Sequence, residues 1–285
     1  MITYPYKPQF ITLPDNCNVA YIDEGKGEQT LLFIHGLANY APVWKKNIEF
    51  LKQFYRCIAL DLPGNGLSDQ NEHPFSMKFF AETINNFIRT LGLQKVCIVG
   101  HSMGGQVALT TLINHPQCAD TLALCAPAGF ETFSALDKTM YYATLQMLDA
   151  ISSDEHSLRK TIEHSFYKHH SQGESIIKEL IQIMKTYKLN YYRKMVEACI
   201  RGMLEEPVTD KLDTVRQRTL VIYGAKDALI PNKLIHHTST EKIAEDGVRM
   251  LPNASLVMIP DCGHFVQWEK ADEVNKYIHN FLAVR

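Results

Sequence analysis

The stretch "VCIVGHSMGGQVAL", residues 96–109, decides how this chain reads. Its opening residues form an apolar run of strand length. From Gly104 onward a helical pattern begins and stops at His115, ahead of Pro116. Between the two lies G-x-S-x-G. A strand that turns at once into a helix is crowded at the corner, and side chains two residues either side of the turn would collide. Gly100 and Gly104 remove those collisions. Ser102 is then forced into a strained conformation, its hydroxyl held proud of the strand's carboxyl end at a helix N-terminus, where developing negative charge is favoured. The plainer alternative is a glycine-rich turn in which Ser102 only caps the helix. Partners elsewhere in the chain separate the two readings.

A serine hydroxyl is a poor nucleophile near neutral pH unless a base takes its proton, and the base is best a histidine oriented by a carboxylate. His264 lies in "PDCGHFVQWE" (260–269), just after the strand-like "ASLVMIP" (254–260). Of the 12 histidines it alone follows the serine, sits at a strand's carboxyl end and precedes the last helix. Asp227 lies in "VIYGAKDALIP" (221–231), again just past a strand, with Pro231 read as the start of the next helix. Ser102, Asp227 and His264 therefore emerge on one edge of the sheet, where open α/β sheets keep their sites. Asp261 has little room to reach back to His264 three residues away, and Asp213 precedes its strand instead of following it. A third requirement is a pair of backbone N–H donors for an oxyanion. "FIHGLANY" (33–40) ends a strand in a loop, so the Leu37 N–H is read as one donor and the Met103 N–H as the other; His35 is read as a prop for that loop.

Around this core the chain alternates. "LLFIH" (31–35), "CIAL" (57–60), "VCIVG" (96–100) and "TLALCAP" (121–127) read as strands buried on both faces, with helices over Val43–Phe54, Ser76–Leu91 and Gly104–His115 between them. Such alternation predicts βαβ crossovers and a mainly parallel sheet, preceded by an antiparallel edge pair at "FITL" and "NVAYIDEG". Residues 131–212 break the pattern. They show helical periodicity and no strand, as in "ESIIKELIQIMKTYKL" (174–189), and are rich in Tyr and Met: Tyr141, Tyr142, Met147, Met184, Tyr191 and Tyr192, which read either as an apolar wall for the substrate's acyl part or as the segment's own core. Strands resume at "TLVIYG" (219–224) and "ASLVMIP", and a helix over Asp272–Val284 closes the chain. The organisation is an α/β core over 1–130 and 213–285, interrupted by a helical insertion over 131–212.

The 285 residues are 46% hydrophobic and 10% aromatic, enough for a sizeable core. With 29 basic and 31 acidic residues and no long block of one sign, nothing points to nucleic acid. No apolar run approaches the length of a membrane span. "MITYPYKPQFITLPDN" lacks the basic start and apolar stretch of a secretory leader, and the seven cysteines form no C-x-x-C pair. Reduced thiols in a cytoplasmic protein are expected. The proposed chemistry needs no metal or cofactor. Oligomeric state leaves no mark on the sequence.

"HG" after a strand, "DLPGNGLSD" (61–69), "GHSMGG" (100–105), "YGAKDALIP" and "CGH" together resemble the α/β-hydrolase fold superfamily, over essentially the whole chain outside 131–212. The resemblance implies an eight-stranded, mainly parallel sheet flanked by helices, with the insertion as a cap over the active site. It also implies a Ser–Asp–His triad at Ser102, Asp227 and His264. Serine in place of aspartate at position 102 speaks against dehalogenase and epoxide hydrolase chemistry. "GHSMGG" is common among carboxylesterases and monoacylglycerol-lipase-like members, whereas "CGHFVQWEKADEVNKYIHNFL" resembles the C-terminal segment of meta-cleavage product hydrolases, which cut carbon–carbon bonds. Two features depart from the latter: "HGLANYAPVW" replaces a Gly-Pro-Gly-like run, and His101 stands where asparagine is usual. Arg193 or Arg201 would be the insertion's cation in such an enzyme. The expected substrate is a small-molecule ester or related carbonyl compound, with C–C cleavage the alternative and a ligand-binding, non-enzymatic role a distant third.

Overall fold

A computed structural model describes residues 3–151, 155–168, 171–186 and 189–284. Eight strands form one sheet: β1 Gln9–Thr12, β2 Asn18–Glu24, β3 Thr30–Ile34, β4 Arg56–Leu60, β5 Val96–His101, β6 Thr121–Cys125, β7 Arg218–Gly224 and β8 Ala254–Ile259. Their spatial order is β1-β2-β4-β3-β5-β6-β7-β8. β2 pairs antiparallel with β1 and with β4; every other neighbouring pair is parallel. Every residue of β3 and β5 is buried, as a parallel sheet covered on both faces requires. β1 lies at the edge and exposes most of its length.

Among the described residues, ten α-helices accompany the sheet. α1 (Lys45–Leu51), α2 (Met77–Thr90) and α3 (Met103–Asn114) precede β6; α4 (Ala135–Ile151), α5 (Glu155–Glu163), α6 (Ser171–Thr186) and α7 (Leu189–Glu205) lie between β6 and β7; α8 (Thr240–Met250), α9 (Val266–Glu269) and α10 (Ala271–Ala283) follow. α2 begins where Ser76 caps it, its side chain accepting the Phe79 N–H. Between β6 and β7 the described residues form helices and no strand, as the periodicity predicts.

Two local expectations change. The helix predicted over Val43–Phe54 is a 3-10 turn at Ala41–Trp44 followed by α1. Pro42 supplies no N–H, so a tight turn opens the segment there. Pro231 does not start a helix. Leu229 and Ile230 donate their N–H groups to Asp227 Oδ1 at 2.8 and 3.0 Å, which holds the chain in a turn instead. The helix waits until Ser239 caps Thr240.

The register places the site. Ile34, Gly100 and Leu124 are aligned across β3, β5 and β6, Cys125 is level with Ile222 in β7, and Gly224 with Ile259 in β8. The carboxyl ends of β3, β5, β7 and β8 thus face one edge, and the loops carrying Leu37, Ser102, Asp227 and His264 leave from it.

Candidate active site

Ser102 takes φ +53° and ψ −120°, a backbone conformation that costs about 1–3 kcal/mol and survives only when its surroundings impose it. The surroundings do so. Ser102 donates its N–H to Cys125 O at 3.1 Å, and its carbonyl accepts from Gly105 N at 2.8 Å and Ala128 N at 3.0 Å. A Cβ on Gly100 would stand 2.5 Å from Gly104 O, and one on Gly104 would stand 2.4 Å from Ile34 O. The first glycine lets the strand meet its own helix; the second lets that helix lie on the end of β3.

His264 and Asp227 are buried, 4% and 1% exposed, while Ser102 is half-buried. The imidazole Nε2 stands 2.9 Å from Ser102 Oγ and Nδ1 stands 2.8 Å from Asp227 Oδ2. One proton arrangement serves both contacts: Nδ1–H donates to the carboxylate, and Nε2 accepts the serine hydroxyl. With Oδ1 occupied by two backbone N–H groups, Asp227 has no freedom to turn away. Asp261 and Asp213 are exposed and take no part.

Two further histidines frame the site. His35 is fully buried; its Nδ1–H donates to Gly36 O at 2.7 Å and its Nε2 accepts the Leu62 N–H at 3.0 Å. Burial lowers its pKa to about 4, so it is a neutral brace for the loop, as read from sequence. His101 donates from Nε2 to the main-chain oxygen of His264 at 3.1 Å. Burial, then the neighbouring His264, hold its pKa well below the ordinary value. Sequence reading used His101 only to discriminate between families and missed this contact, which joins residues far apart in the chain. Gly36, the residue before Leu37, comes close to the serine, where an added Cβ would stand 3.1 Å from Ser102 Cβ. Among the described residues, neither the Leu37 N–H nor the Met103 N–H donates to another main-chain group.

The serine and His264 open onto a cavity of about 980 Å³. Its far wall is one face of α7, Tyr192, Val196, Ile200, Met203 and Leu204, with Leu180 from α6. That spacing, four then four then three or four, was available from periodicity and marks the wall better than Tyr and Met content did. Of the residues singled out by type, Tyr141 and Tyr192 line the cavity. Tyr142 instead donates to Glu205, and Tyr191 to Asn71 O. The side chains of Met147 and Met184 lie outside the described residues. Neither Arg193 nor Arg201 is in the lining; Arg201 sits over the Tyr142 ring.

Among the described residues, the side chains of Cys17, Asp69 and His73 bring metal-ligand atoms within 4.8 Å of one another. A tetrahedral zinc would draw such atoms to roughly 3.5 Å apart. The group is not part of the cavity.

A strained serine between a parallel strand and a helix, linked through histidine to a buried carboxylate at the sheet's carboxyl edge, defines an α/β protein built around a nucleophile elbow. The model of the alpha/beta hydrolase fold family matches residues 29–271, and the chain belongs to that family. It is 25% identical to a 2-hydroxy-6-oxononadienedioate/2-hydroxy-6-oxononatrienedioate hydrolase of Pseudomonas sp, over 94% of this chain and 93% of that one. It is 22% identical to monoacylglycerol lipase ABHD6 of Homo sapiens, over 89% of this chain and 75% of that protein. A thermophilic esterase from Thermogutta terrifontis superposes with a TM-score of 0.79 at 26% identity, covering 97% of this chain and 98% of the other. No helix among the described residues is long and apolar enough to cross a membrane.

Proposed function

We propose that the chain is a serine hydrolase of carboxylic esters with an apolar acyl part, working through an acyl-enzyme on Ser102. The observation that carries this is the unbroken hydrogen-bonded line Ser102–His264–Asp227, at 2.9 and 2.8 Å, opening onto a largely apolar cavity. Ser102 Oγ attacks the ester carbonyl as His264 Nε2 takes its proton. Asp227 holds the imidazole tautomer and stabilises the cation that forms. The Leu37 and Met103 N–H groups hold the oxyanion, a contribution of about 2.7–4 kcal/mol for each donor in comparable sites. Collapse expels the alcohol, protonated by His264. Water activated by the same imidazole then releases the acid and restores the serine. Residues 131–212 act as a cap that walls the acyl site, between core segments 1–130 and 213–285. The protein works in the cytoplasm.

Carbon–carbon hydrolysis is the second reading, favoured by the length and identity shared with the Pseudomonas hydrolase. The cavity speaks against it. A dioate substrate needs cations at its carboxylates, yet the described lining holds Glu131 and Asp210 against Lys233, with no arginine. A panel of p-nitrophenyl esters from acetate to octanoate, run beside a ring-fission dienolate, separates the two. Ester turnover rising with acyl length and lost in Ser102→Ala supports the proposal. Bleaching of the dienolate at a higher kcat/KM than any ester would replace it with the second reading.

A further inference from the structure

The loop bearing His264 is gripped from a second side. Gly263 N–H donates to Glu269 Oε1 at 3.0 Å, and Tyr167 N–H donates to Oε2 of the same carboxylate at 3.1 Å. Tyr167 belongs to the helical insertion and Gly263 to the loop after β8. The His264 N–H itself donates to Ser165 O at 2.9 Å. Phe166 stacks on Phe265 with ring centroids 4.8 Å apart and planes 5° from parallel. Three consecutive residues of the insertion therefore lie on the three consecutive residues centred on the base.

The approach leaves no slack. A Cβ on Gly263 would stand 2.6 Å from Tyr167 N, 2.7 Å from Glu269 Oε1 and 2.8 Å from Ser165 O. Glu269 is outside the lining of that cavity. Burial raises its pKa, the Tyr167 and Gly263 N–H groups pull it back, and the charges of Asp227 and His264 act on it in opposite senses. Both of its partners are N–H donors, so the position calls for an acceptor on each oxygen. Glutamine would turn an NH₂ toward one of them, and aspartate is one methylene too short to span both.

We propose that Glu269 is a positioning residue for His264: its carboxylate ties the helical insertion to the loop carrying the base, so that the imidazole is aimed at Ser102 only when the insertion is seated. The proposal rests on the reading of Ser102, His264 and Asp227 as the reacting groups. Misplacing a base by about 1 Å costs up to roughly 100-fold in rate, which is the leverage such a tie commands.

The test compares wild type, Glu269→Gln and Glu269→Ala by fluorophosphonate labelling, ester kinetics and hydrogen exchange. In Glu269→Gln, kcat is expected to fall about 10- to 100-fold with KM moved less than about threefold. Labelling slows by the same factor and reaches the same stoichiometry. Exchange in 163–168 and 262–266 rises together, and added formate restores part of the activity of Glu269→Ala. A wild type that takes no label overturns the hydrolase reading itself. A labelled wild type matched in kcat and labelling rate by Glu269→Gln overturns the positioning role alone. Should Glu269→Gln not fold, Phe166→Ala loosens the same seat without touching the carboxylate. Unchanged exchange at 262–266 in that variant, with kcat intact, also overturns the proposal.

Discussion

The buried ring of His101 donates to the main-chain oxygen of His264 at 3.1 Å, so the residue before the strained serine holds the backbone of the residue facing that serine. The two rings lie 5.0 Å apart, and the His101 ring stands nearly perpendicular to that of Trp44. An asparagine at this position would be too short to place its donor at the same point.

His101→Ala leaves the buried His264 carbonyl without its donor and removes a ring that backs the His264 ring. A loss of about 1–3 kcal/mol in stability is expected, with a fall of about tenfold in kcat from the displaced imidazole. Urea unfolding and ester kinetics on the same preparation measure both. A variant with full kcat would show that the contact has no bearing on His264.

Asp227→Asn preserves size, and the amide oxygen can still accept the Leu229 and Ile230 N–H groups that Oδ1 now holds. The NH₂ then faces His264 Nδ1 and drives the imidazole to the wrong tautomer. A drop of about 10³–10⁴ in kcat is expected with thermal stability little changed. Retention of a tenth of the wild-type rate would remove Asp227 from the role.

Stability should depend on pH through His35. Its folded pKa is about 4, below the ordinary 6.5, because burial disfavours the cation. The folded form therefore binds the proton less readily than the unfolded chain. The contribution is fully present above pH 6.5 and is lost as pH falls toward 4, on the order of 3 kcal/mol in total. Urea midpoints measured between pH 7.5 and 4.5 should fall more steeply for wild type than for His35→Gln. Parallel slopes would contradict the assignment.

Gly104→Ala places a methyl 2.4 Å from Ile34 O and 2.5 Å from His35 O, both main chain. The end of β3 cannot move without opening the sheet. A cost of about 3 kcal/mol or more is expected, at the upper end for overpacking, with Ser102 labelling lost in whatever folds. Gly92, with nothing within 4 Å of an added Cβ but φ +60°, should lose only about 1 kcal/mol on the same change. Melting curves of the two variants make the comparison.

The strands were readable to within a residue or two because a parallel sheet buries whole runs, and the runs are short and bounded. The elbow was readable because two glycines and a serine at that spacing answer a purely local collision. Reading failed where a side chain reached back to the main chain. Asp227 takes the N–H groups that would otherwise begin a helix at Pro231, and no pattern of apolar residues announces that. Aromatic content likewise left Tyr142 and Tyr191 open as cavity wall or as the insertion's own core. In the folded chain one is turned to Glu205 and the other to Asn71, because polar tips go where partners are.

The sequence by itself determined the order of strands and helices, the strained turn at Ser102, and which aspartate and histidine follow at strand ends. Those features rest on sterics within a few residues, which neighbouring side chains settle. Only the tertiary structure decided that Ser102 and His264, 162 positions apart, stand at 2.9 Å, that α7 supplies the cavity wall, and that His101 and Ser165 grip the backbone of His264 from two sides. Those distances depend on how the strands are ordered and levelled in the sheet and on how the helical insertion packs over it. Burial energy summed over the whole chain selects that arrangement, and no single segment encodes it.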